Sequence, residues 1–387
     1  MNGLRHGISI CIRIAAIVVL LTLIVLPWRA NAVPSYTRQT GQPCTACNMN
    51  YPELTSFGRA FKLGGYTLCT GESTFPPPSA VVQTAFTHTE APQPGGATPH
   101  FGPPTVEDIY NTTMAVSFPF ASAGLAPRPA AMTLLDNLPF HVGGAGAYAM
   151  WNTPIYGAIT LYKSFPHDFQ RFAGINTSTE PEIDSVAPYW RLAWQREWDE
   201  HSVEAGTFGM FANTFPNRIH GAATDRFVDL GFDAQYQFRG DPHSASFRSS
   251  WIHEYQRLDA SRALGLAANS SNTLDTFKLK TSYLYQDTYG ATVAYFCTSG
   301  SADTGLFAPA PITGSANGKP NSNGWIFELD WLPFVHSPLE FAPWAQTKLS
   351  LQYVAYNKFN GGSHNYDGIG RNASDNNTVF LLAWFAF

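Results

Sequence analysis

Apolar and polar residues alternate at every second position over long parts of the chain. In FDAQYQF (232–238) the apolar residues occupy one side and Asp, Gln and Gln the other, and KLSLQYVAY (348–356) repeats this order. KLKTSYLY (278–285) and WRLAWQREW (190–198) follow it as well. Successive side chains of a β-strand point to opposite faces, so these stretches are predicted strands with one apolar and one polar face. Strands with apolar residues outside, polar residues inside and aromatic residues near their ends are typical of a transmembrane β-barrel.

The composition agrees with a surface that water does not cover. Charged residues make up 13% of the 387 residues and aromatic residues 14%, whereas a soluble domain carries about 25% charged residues. We therefore predict an all-β fold, a transmembrane antiparallel β-barrel of about 16 strands. The alternative is a soluble β-sandwich that happens to end in an aromatic strand. The net charge of −5 provides no basic field, so nucleic acid is not an expected partner.

Both ends of the chain indicate export to the outer membrane. Residues 1–32 have basic residues, the apolar run 14–27 and the small-residue sequence ANA, which together predict a signal peptide cleaved before Val33. After this point no stretch approaches the roughly 20 apolar residues of a membrane helix. The last strand, NNTVFLLAWFAF, ends in Phe387, as the final strands of bacterial outer-membrane proteins do. Outer-membrane lipid is the partner expected for such a chain.

The mature chain divides into a small module and a large barrel. We predict a module over 33–70, a linker over 71–79 and the barrel over 80–387. Short polar turns are predicted within 196–204, 237–246 and 284–293, and long loops rich in Gly, Asn and Ser within 308–324 and 357–377. Short turns on one rim and long loops on the other are the usual asymmetry of outer-membrane barrels.

One amphipathic helix is predicted in the small module. Pro52 is suited to its start, and the glycines that follow Leu63 to its end. Its residues recur at helical spacing, which predicts one apolar side and one polar side. The apolar side carries Leu54, Phe57 and Phe61, and the polar side carries Glu53, Arg59 and Lys62.

A cysteine pair precedes this helix. Cys44 and Cys47 have the C-x-x-C spacing of a c-type haem attachment motif, but Asn48 stands where that motif has its iron-binding His. An amide is not among the usual axial ligands of haem, and the sulfur of Met49 is one residue out of place. Three interpretations stay open: a haem site with a substituted ligand, a structural disulfide or thiol pair, and a thioredoxin-type redox motif. The last lacks the βαβ context that it needs.

The residues around the cysteines carry a more specific signal. VPSYTRQTGQPCTACNMNYPELTSFGRAFKLGGY (33–66) resembles the amino-terminal segment of exported bacterial proteins that fuse a monohaem cytochrome c to an outer-membrane barrel. That family is implicated in extracellular electron transfer, notably in iron oxidisers. Its pattern has a run ending R-Q-T-G, then C-x-x-C-H, then P-E-L-x-x-F-G-R-x-F-K-L-x-G-Y. The likeness extends over nearly the whole mature chain, through APYWRLAWQ, TDRFVDLGFDAQYQF, SWIHEYQ, TSGSADTGL and the last 32 residues.

The resemblance implies a barrel that holds a small haem module and passes single electrons across the outer membrane. Cys44 and Cys47 would form the haem thioethers, and Asn48 would lie at the proximal-ligand position, where this chain departs from the family. His88 and His100, nearest the linker, are the candidates for another ligand, and no metal-binding set is otherwise visible. A periplasmic electron carrier is the implied protein partner. The pairing of Cys69 with Cys297 stays open.

Two functions of different classes follow from the sequence. The first is an electron conduit with an atypical c-type haem module. The second is a passive porin whose module has lost its haem and serves as a plug or scaffold. The sequence has no nucleophile elbow, His-x-x-x-His or phosphate-binding loop, so we do not expect an enzyme.

Overall fold

The computed structural model describes residues 44–49, 53–63, 81–89, 128–136, 142–151, 154–172, 181–221, 223–336 and 346–386. The predicted signal peptide (1–32), the predicted linker (71–79), Cys69, His100 and Phe387 lie outside these residues. The helices of the described part are short: α1 Cys44–Cys47, α2 Ser56–Leu63, α3 His167–Phe172 and α4 Asp259–Ala263, with 3-10 turns at Pro216–Arg218 and Ala373–Asn376.

Most of the described residues belong to β-strands. Their bounds are β1 Val81–Thr89, β2 Val142–Trp151, β3 Ile155–Ser164, β4 Glu182–Asp184, β5 Ala187–Trp198, β6 His201–Phe215, β7 Asp225–Arg239, β8 His243–Arg257, β9 Ser271–Tyr285, β10 Tyr289–Gly300, β11 Ser322–Trp331, β12 Gln346–Lys358 and β13 Thr378–Ala386. Apart from β4, each strand has 9 to 15 residues, enough for the 9–11 residues or so that cross a bilayer at a tilt.

The strands form one antiparallel sheet in chain order. In the described residues the sheet has thirteen strands in the order β1-β13-β12-β11-β10-β9-β8-β7-β6-β5-β3-β2, with β4 paired to β6. The first described strand, β1, pairs with the last, β13, with Val81 opposite Ala386. The two ends of the chain's strand series are therefore neighbours in the sheet. This is an antiparallel β-barrel, which leaves few edges to attract another chain.

The connections confirm the predicted asymmetry of turns and loops. Two residues join β5 to β6, and three residues each join β7 to β8 and β9 to β10. The long segments 301–321 and 359–377 connect the opposite ends of β10 to β11 and of β12 to β13. His201 and His243, expected inside tight turns, are instead the first residues of β6 and β8.

The two faces of the sheet have the reverse of a soluble protein's polarity, as predicted. On β7, Phe232 is 49% exposed while its neighbour Asp233 is 7% exposed. On β12, Leu351 is 46% exposed while Gln352 is fully buried. An apolar outer face and a polar inner face identify a barrel of the transmembrane type.

Aromatic residues on the outer face concentrate at the strand ends. Trp198, Tyr285, Tyr289 and Trp331, each exposed, are terminal residues of their strands at the short-turn rim. Aromatic girdles at this level are the interfacial anchors of outer-membrane barrels. Within the described residues, no helix has both the length and the apolar character needed to span a membrane.

Loops and apolar side chains fill the inner face at the long-loop end. Tyr366, from the loop before β13, donates a hydrogen bond to the carbonyl of Ile312 at 2.9 Å and links the two long loops. The cluster beneath them is apolar and almost fully buried: Phe296, Ile326, Val354, Tyr356, Phe359, Tyr366, Phe380, Leu382 and Trp384.

Asp303 orders the loop between β10 and β11. Its carboxylate accepts hydrogen bonds from the backbone N–H groups of Ala268 (2.8 Å), Asn269 (3.0 Å) and Leu306 (3.0 Å). Burial by itself raises the pKa of Asp303, but these donors outweigh burial and lower it to about 2. The loop is therefore tied to the neighbouring connection between β8 and β9.

The helix of the small module starts later than predicted, and residues of both its apolar and its polar side are buried. It begins at Ser56 rather than Pro52, and Leu54 precedes it in a bridge to Asn48. Phe61 is buried but Phe57 is 45% exposed, and the polar residues Glu53 and Arg59 are buried. The reason is that the module packs against the polar inner face of the barrel, where charged side chains find partners.

Candidate functional site

Charged side chains of the wall face one another across the inner surface. Arg191 of β5 lies 2.8 Å from Glu204 of β6 and 2.9 Å from Asp233 of β7, and all three side chains are buried. Lys348 of β12 lies 3.2 Å from Glu328 of β11. These ion pairs join neighbouring strands and belong to the wall itself.

A second set of wall cations pairs with a residue from outside the wall. Arg248 of β8 and Lys280 of β9 are directly opposed in the strand register on the inner face. Like charges opposed across two strands repel each other. Glu53 of the module offsets this repulsion, with Oε1 3.6 Å from Arg248 Nε and Oε2 3.3 Å from Lys280 Nζ.

The environment of Glu53 keeps its carboxylate ionised although it is buried. Gln237 Nε2 donates a hydrogen bond to Glu53 Oε1 at 3.3 Å, and a hydroxyl bond from Ser246 also favours the charged form. Burial by itself raises the pKa of Glu53, but the charges of Arg248 and Lys280 and these hydrogen bonds together lower it to about 2, from an ordinary 4.5. Glu53 is thus an anion held between two wall cations.

Arg59 provides a second attachment of the module. Its Nη2 donates to Ser202 Oγ at 3.2 Å, and its Nη1 donates to Gln237 Oε1 at 3.3 Å. In return, Arg239 of the wall donates to the carbonyl of Ala46 at 3.0 Å. All these wall residues lie at the short-turn ends of β6 and β7, so the module docks at that end of the inner face.

Local contacts give the module the shape that presents Glu53 and Arg59. Thr55 N donates to Cys47 O and Thr55 Oγ1 donates to Ala46 O, each at 2.7 Å. Gly58 N donates to Thr55 Oγ1 at 3.1 Å, which starts α2. A Cβ atom on Gly58 would lie 2.2 Å from Cys47 O, so only glycine fits where α2 crosses the turn.

Residues 128–136 form a second segment inserted against the inner face. Asp136 Oδ1 lies 2.5 Å from Lys278 Nζ of β9, with both side chains buried. Leu134 N donates to Glu254 at 2.5 Å, and Leu135 N donates to Asp229 at 2.8 Å. The leucine side chains pack into a buried apolar cluster of the wall, formed by Ile183, Ala187, Tyr189, Phe208, Met210, Ala212 and Ile252.

The cysteine pair fits the spacing of haem attachment but not its iron ligation. Helix α1 is one turn that begins at Cys44 and ends at Cys47, and Cys47 is buried beside Phe61. Asn48 is bridged through its backbone to Leu54, and its amide nitrogen, unlike that of imidazole, has no available lone pair to donate to iron. Met49 is buried at 4% exposure. The residues present therefore fit the spacing of thioether attachment but supply no iron ligand of the usual kind.

The other candidate ligands are not brought to this site by the described residues. Only the backbone of His88 is described, in β1, and His100 and Cys69 lie outside the described part. Cys297 lies on β10, on the outer-facing side. Across the described ranges, no group of three or more His, Cys, Asp or Glu residues is arranged to hold a metal ion.

Acid is expected to loosen the docked module through Glu53. Because the pKa of Glu53 is about 2 when docked, against 4.5 ordinarily, its ion pairs stabilise docking above pH 4.5. That contribution is lost as the pH falls towards 2. Near pH 4.5 we expect pepsin to cut the module of the native protein more slowly than the module of a Glu53→Gln variant. Near pH 2 we expect the two proteins to be cut at the same rate. A constant ratio of the two rates across this range would contradict the assignment.

Comparisons with known proteins find only distant structural likeness. No protein-family model and no curated protein matches the chain. The outer membrane channel DcaP of Acinetobacter baumannii is similar at 11% identity and a TM-score of 0.37, over 82% of this chain and 78% of that one. OmpT, an outer membrane protein of Vibrio cholerae in its trimer form, is similar at 12% identity and a TM-score of 0.40, over 79% and 97%. These values are too low to transfer a solute or an assembly state to this chain.

Proposed function

We propose that the protein is an outer-membrane pore whose lumen is narrowed by two inserted segments, the N-terminal module and residues 128–136. Lipid is the partner of its apolar outer face. The observation that carries the proposal is the burial of the polar inner face against these segments: Lys278 is 1% exposed and Glu254 fully buried. Such residues would be wet in an open channel.

The two segments contact adjacent levels of the inner face, since the module pairs with Lys280 and residues 128–136 pair with Lys278, two residues away on β9. The module engages Ser202, Gln237 and Lys280, close to the short turns. Residues 128–136 engage Asp229 and Glu254, close to the long loops. With both segments in place the isolated protein is expected to conduct ions rarely and in small steps, and release of the module widens the path.

Planar-bilayer recording of the full chain tests this function. Arg59→Ala removes two charge-assisted hydrogen bonds that hold the module, each worth about 1.5–3 kcal/mol. We expect the time spent in the open state to rise by about tenfold or more, since 1.4 kcal/mol corresponds to about a factor of ten. Arg196→Ala is the matched control, because Arg196 is exposed near the end of β5. Equal currents from native protein and Arg59→Ala would contradict a plugging role.

A second candidate function, haem-based electron transfer, has one observation in its favour: Cys44–Cys47 form a single helical turn. A haem held there would carry single electrons to or from a periplasmic carrier. The test is a pyridine haemochrome spectrum of protein made with c-type maturation factors, beside an Asn48→His variant. A c-type band in the native protein supports the second function. A band in the variant alone leaves the pore as the function of this chain.

A further inference from the structure

We propose that Arg248, Lys280 and Gln237 form a binding site in the lumen for a small carboxylate anion, and that Glu53 occupies this site as a tethered competitor. The inference rests on the proposed pore function and specifies its ligand. A free carboxylate that takes the place of Glu53 would release the module and open the lumen.

The wall presents these three side chains on adjacent strands. Gln237 is on β7, Arg248 on β8 and Lys280 on β9, all on the inner face, and Arg248 and Lys280 are opposed in register. Gln235 Oε1 accepts a hydrogen bond from Arg248 Nε at 2.6 Å, which fixes the direction of the guanidinium. The site is therefore built into the rigid part of the barrel, whether or not the module is docked.

The contacts of Glu53 show what chemistry the site accepts. One oxygen faces Arg248 at 3.6 Å and Gln237 at 3.3 Å, and the other faces Lys280 at 3.3 Å. Each carboxylate oxygen thus has its own cation, and an amide N–H adds a neutral donor. A carboxylate fits this arrangement because one oxygen accepts a hydrogen bond from Gln237 and the other from Lys280, while Arg248 adds a positive charge 3.6 Å away.

The length of these contacts suggests that Glu53 is a replaceable occupant. Strong charge-assisted hydrogen bonds are about 2.7–2.9 Å long, whereas Glu53 has a 3.3 Å hydrogen bond from Lys280 and a 3.6 Å ion pair with Arg248. Arg191, in contrast, holds Glu204 at 2.8 Å in the permanent wall. Glu53 gains its occupancy from being part of the same chain as the wall, and covalent tethering supplies an effective concentration on the order of millimolar.

Propionate is a suitable probe because it reproduces the end of a glutamate side chain. The full-length native protein is recorded in planar bilayers while chloride is replaced by propionate at constant ionic strength, with neutral propionamide as a control. We expect the open time to rise severalfold and to saturate, with half-maximal effect on the order of tens of millimolar, above the tethered concentration. Propionamide should have no effect.

Two variants separate this inference from the pore function. Glu53→Gln should open the pore without propionate and leave the wall site vacant, so that propionate now partly blocks the current. Glu53→Gln combined with Arg248→Gln should abolish that block.

An open Glu53→Gln channel that propionate neither opens further nor blocks would overturn the anion site, while the plugging role of the module would stand. Equal opening by chloride or phosphate would overturn the choice of a carboxylate. No opening by either Glu53→Gln or Arg59→Ala would overturn the pore function itself.

Discussion

Replacing Arg191 with Met is expected to lower the free energy of unfolding of the barrel by about 3–5 kcal/mol. Arg191 Nη2 lies 2.8 Å from Glu204 and 2.9 Å from Asp233, and the three side chains are at most 3% exposed. Removing the cation leaves two carboxylates close together in a buried site with no compensating charge. The loss of a buried partner costs more than the intact network contributes, because the remaining charges stay desolvated.

Arg191 is packed closely by residues of the neighbouring strand. Its guanidinium lies 5.6 Å from the centre of the Phe208 ring. A Cβ atom on Gly206 would approach Arg191 Nη2 to 2.9 Å and Asp233 Oδ1 to 2.8 Å, so this glycine lies directly against the ion pair. The site is close-packed, and the methionine side chain has the length but not the charge to fill it.

Urea unfolding of protein refolded into lipid vesicles measures the effect. Arg196→Met is the matched control, since Arg196 is exposed on the same strand. A variant that also carries Glu204→Gln and Asp233→Asn should recover most of the lost stability, because neutral amides do not repel each other. Equal stability of Arg191→Met and Arg196→Met would contradict the buried ion pairs.

The strand architecture was predictable because a period of two has a direct structural meaning. The alternation in 232–238 assigned Phe232 and Tyr236 to one face and Asp233 and Gln237 to the other, and the structure has them so. Arg248 was not among the predicted inner-face residues, although the sequence SFRSSW (246–251) places Ser246, Arg248 and Ser250 on the same polar side. The alternation shows that Arg248 lies on the polar face, but it does not show which cation of the neighbouring strand lies opposite it.

The side of the module's helix that packs could not be predicted from the sequence, for a physical reason. Helical spacing identifies an apolar stripe, and in a soluble core that stripe is the buried one. Here the packing partner is the polar interior of a barrel, so Glu53 and Arg59 are buried while Phe57 is 45% exposed. Periodicity reports which residues share a side, but the polarity of the neighbouring surface decides which side is covered.

The second inserted segment had no signal in the sequence. Residues 128–136 were included in the predicted barrel, yet Asp136 pairs with Lys278, a residue 142 positions away, and Leu134 with Glu254, 120 positions away. Contacts of this range follow from the closure of the whole sheet. The composition of nine residues cannot specify them.

A Gly58→Ala substitution separates local helix stability from docking, because the two respond with opposite signs. Alanine in place of glycine favours a helix by about 1 kcal/mol. The added Cβ atom, however, would lie 2.2 Å from Cys47 O and 3.1 Å from Cys47 Cα, which are backbone atoms that cannot rotate away. Overpacking of this kind costs about 1–3 kcal/mol. We expect the cost of the clash to exceed the gain in helix propensity, so that the turn of α1 separates from α2.

The rate of trypsin cleavage after Arg59, the residue next to Gly58, measures this separation. Arg59 is 1% exposed in the docked module, so its peptide bond is protected in the native protein. In Gly58→Ala we expect cleavage after Arg59 to be about tenfold faster or more, because each 1.4 kcal/mol of lost docking raises the undocked fraction about tenfold. Ala60→Gly is the control: Ala60 is exposed in the same helix, and glycine there weakens the helix by about 1 kcal/mol without a clash. Slower cleavage of Gly58→Ala than of native protein would mean that helix propensity governs the module and that α1 does not pack against α2 through Gly58.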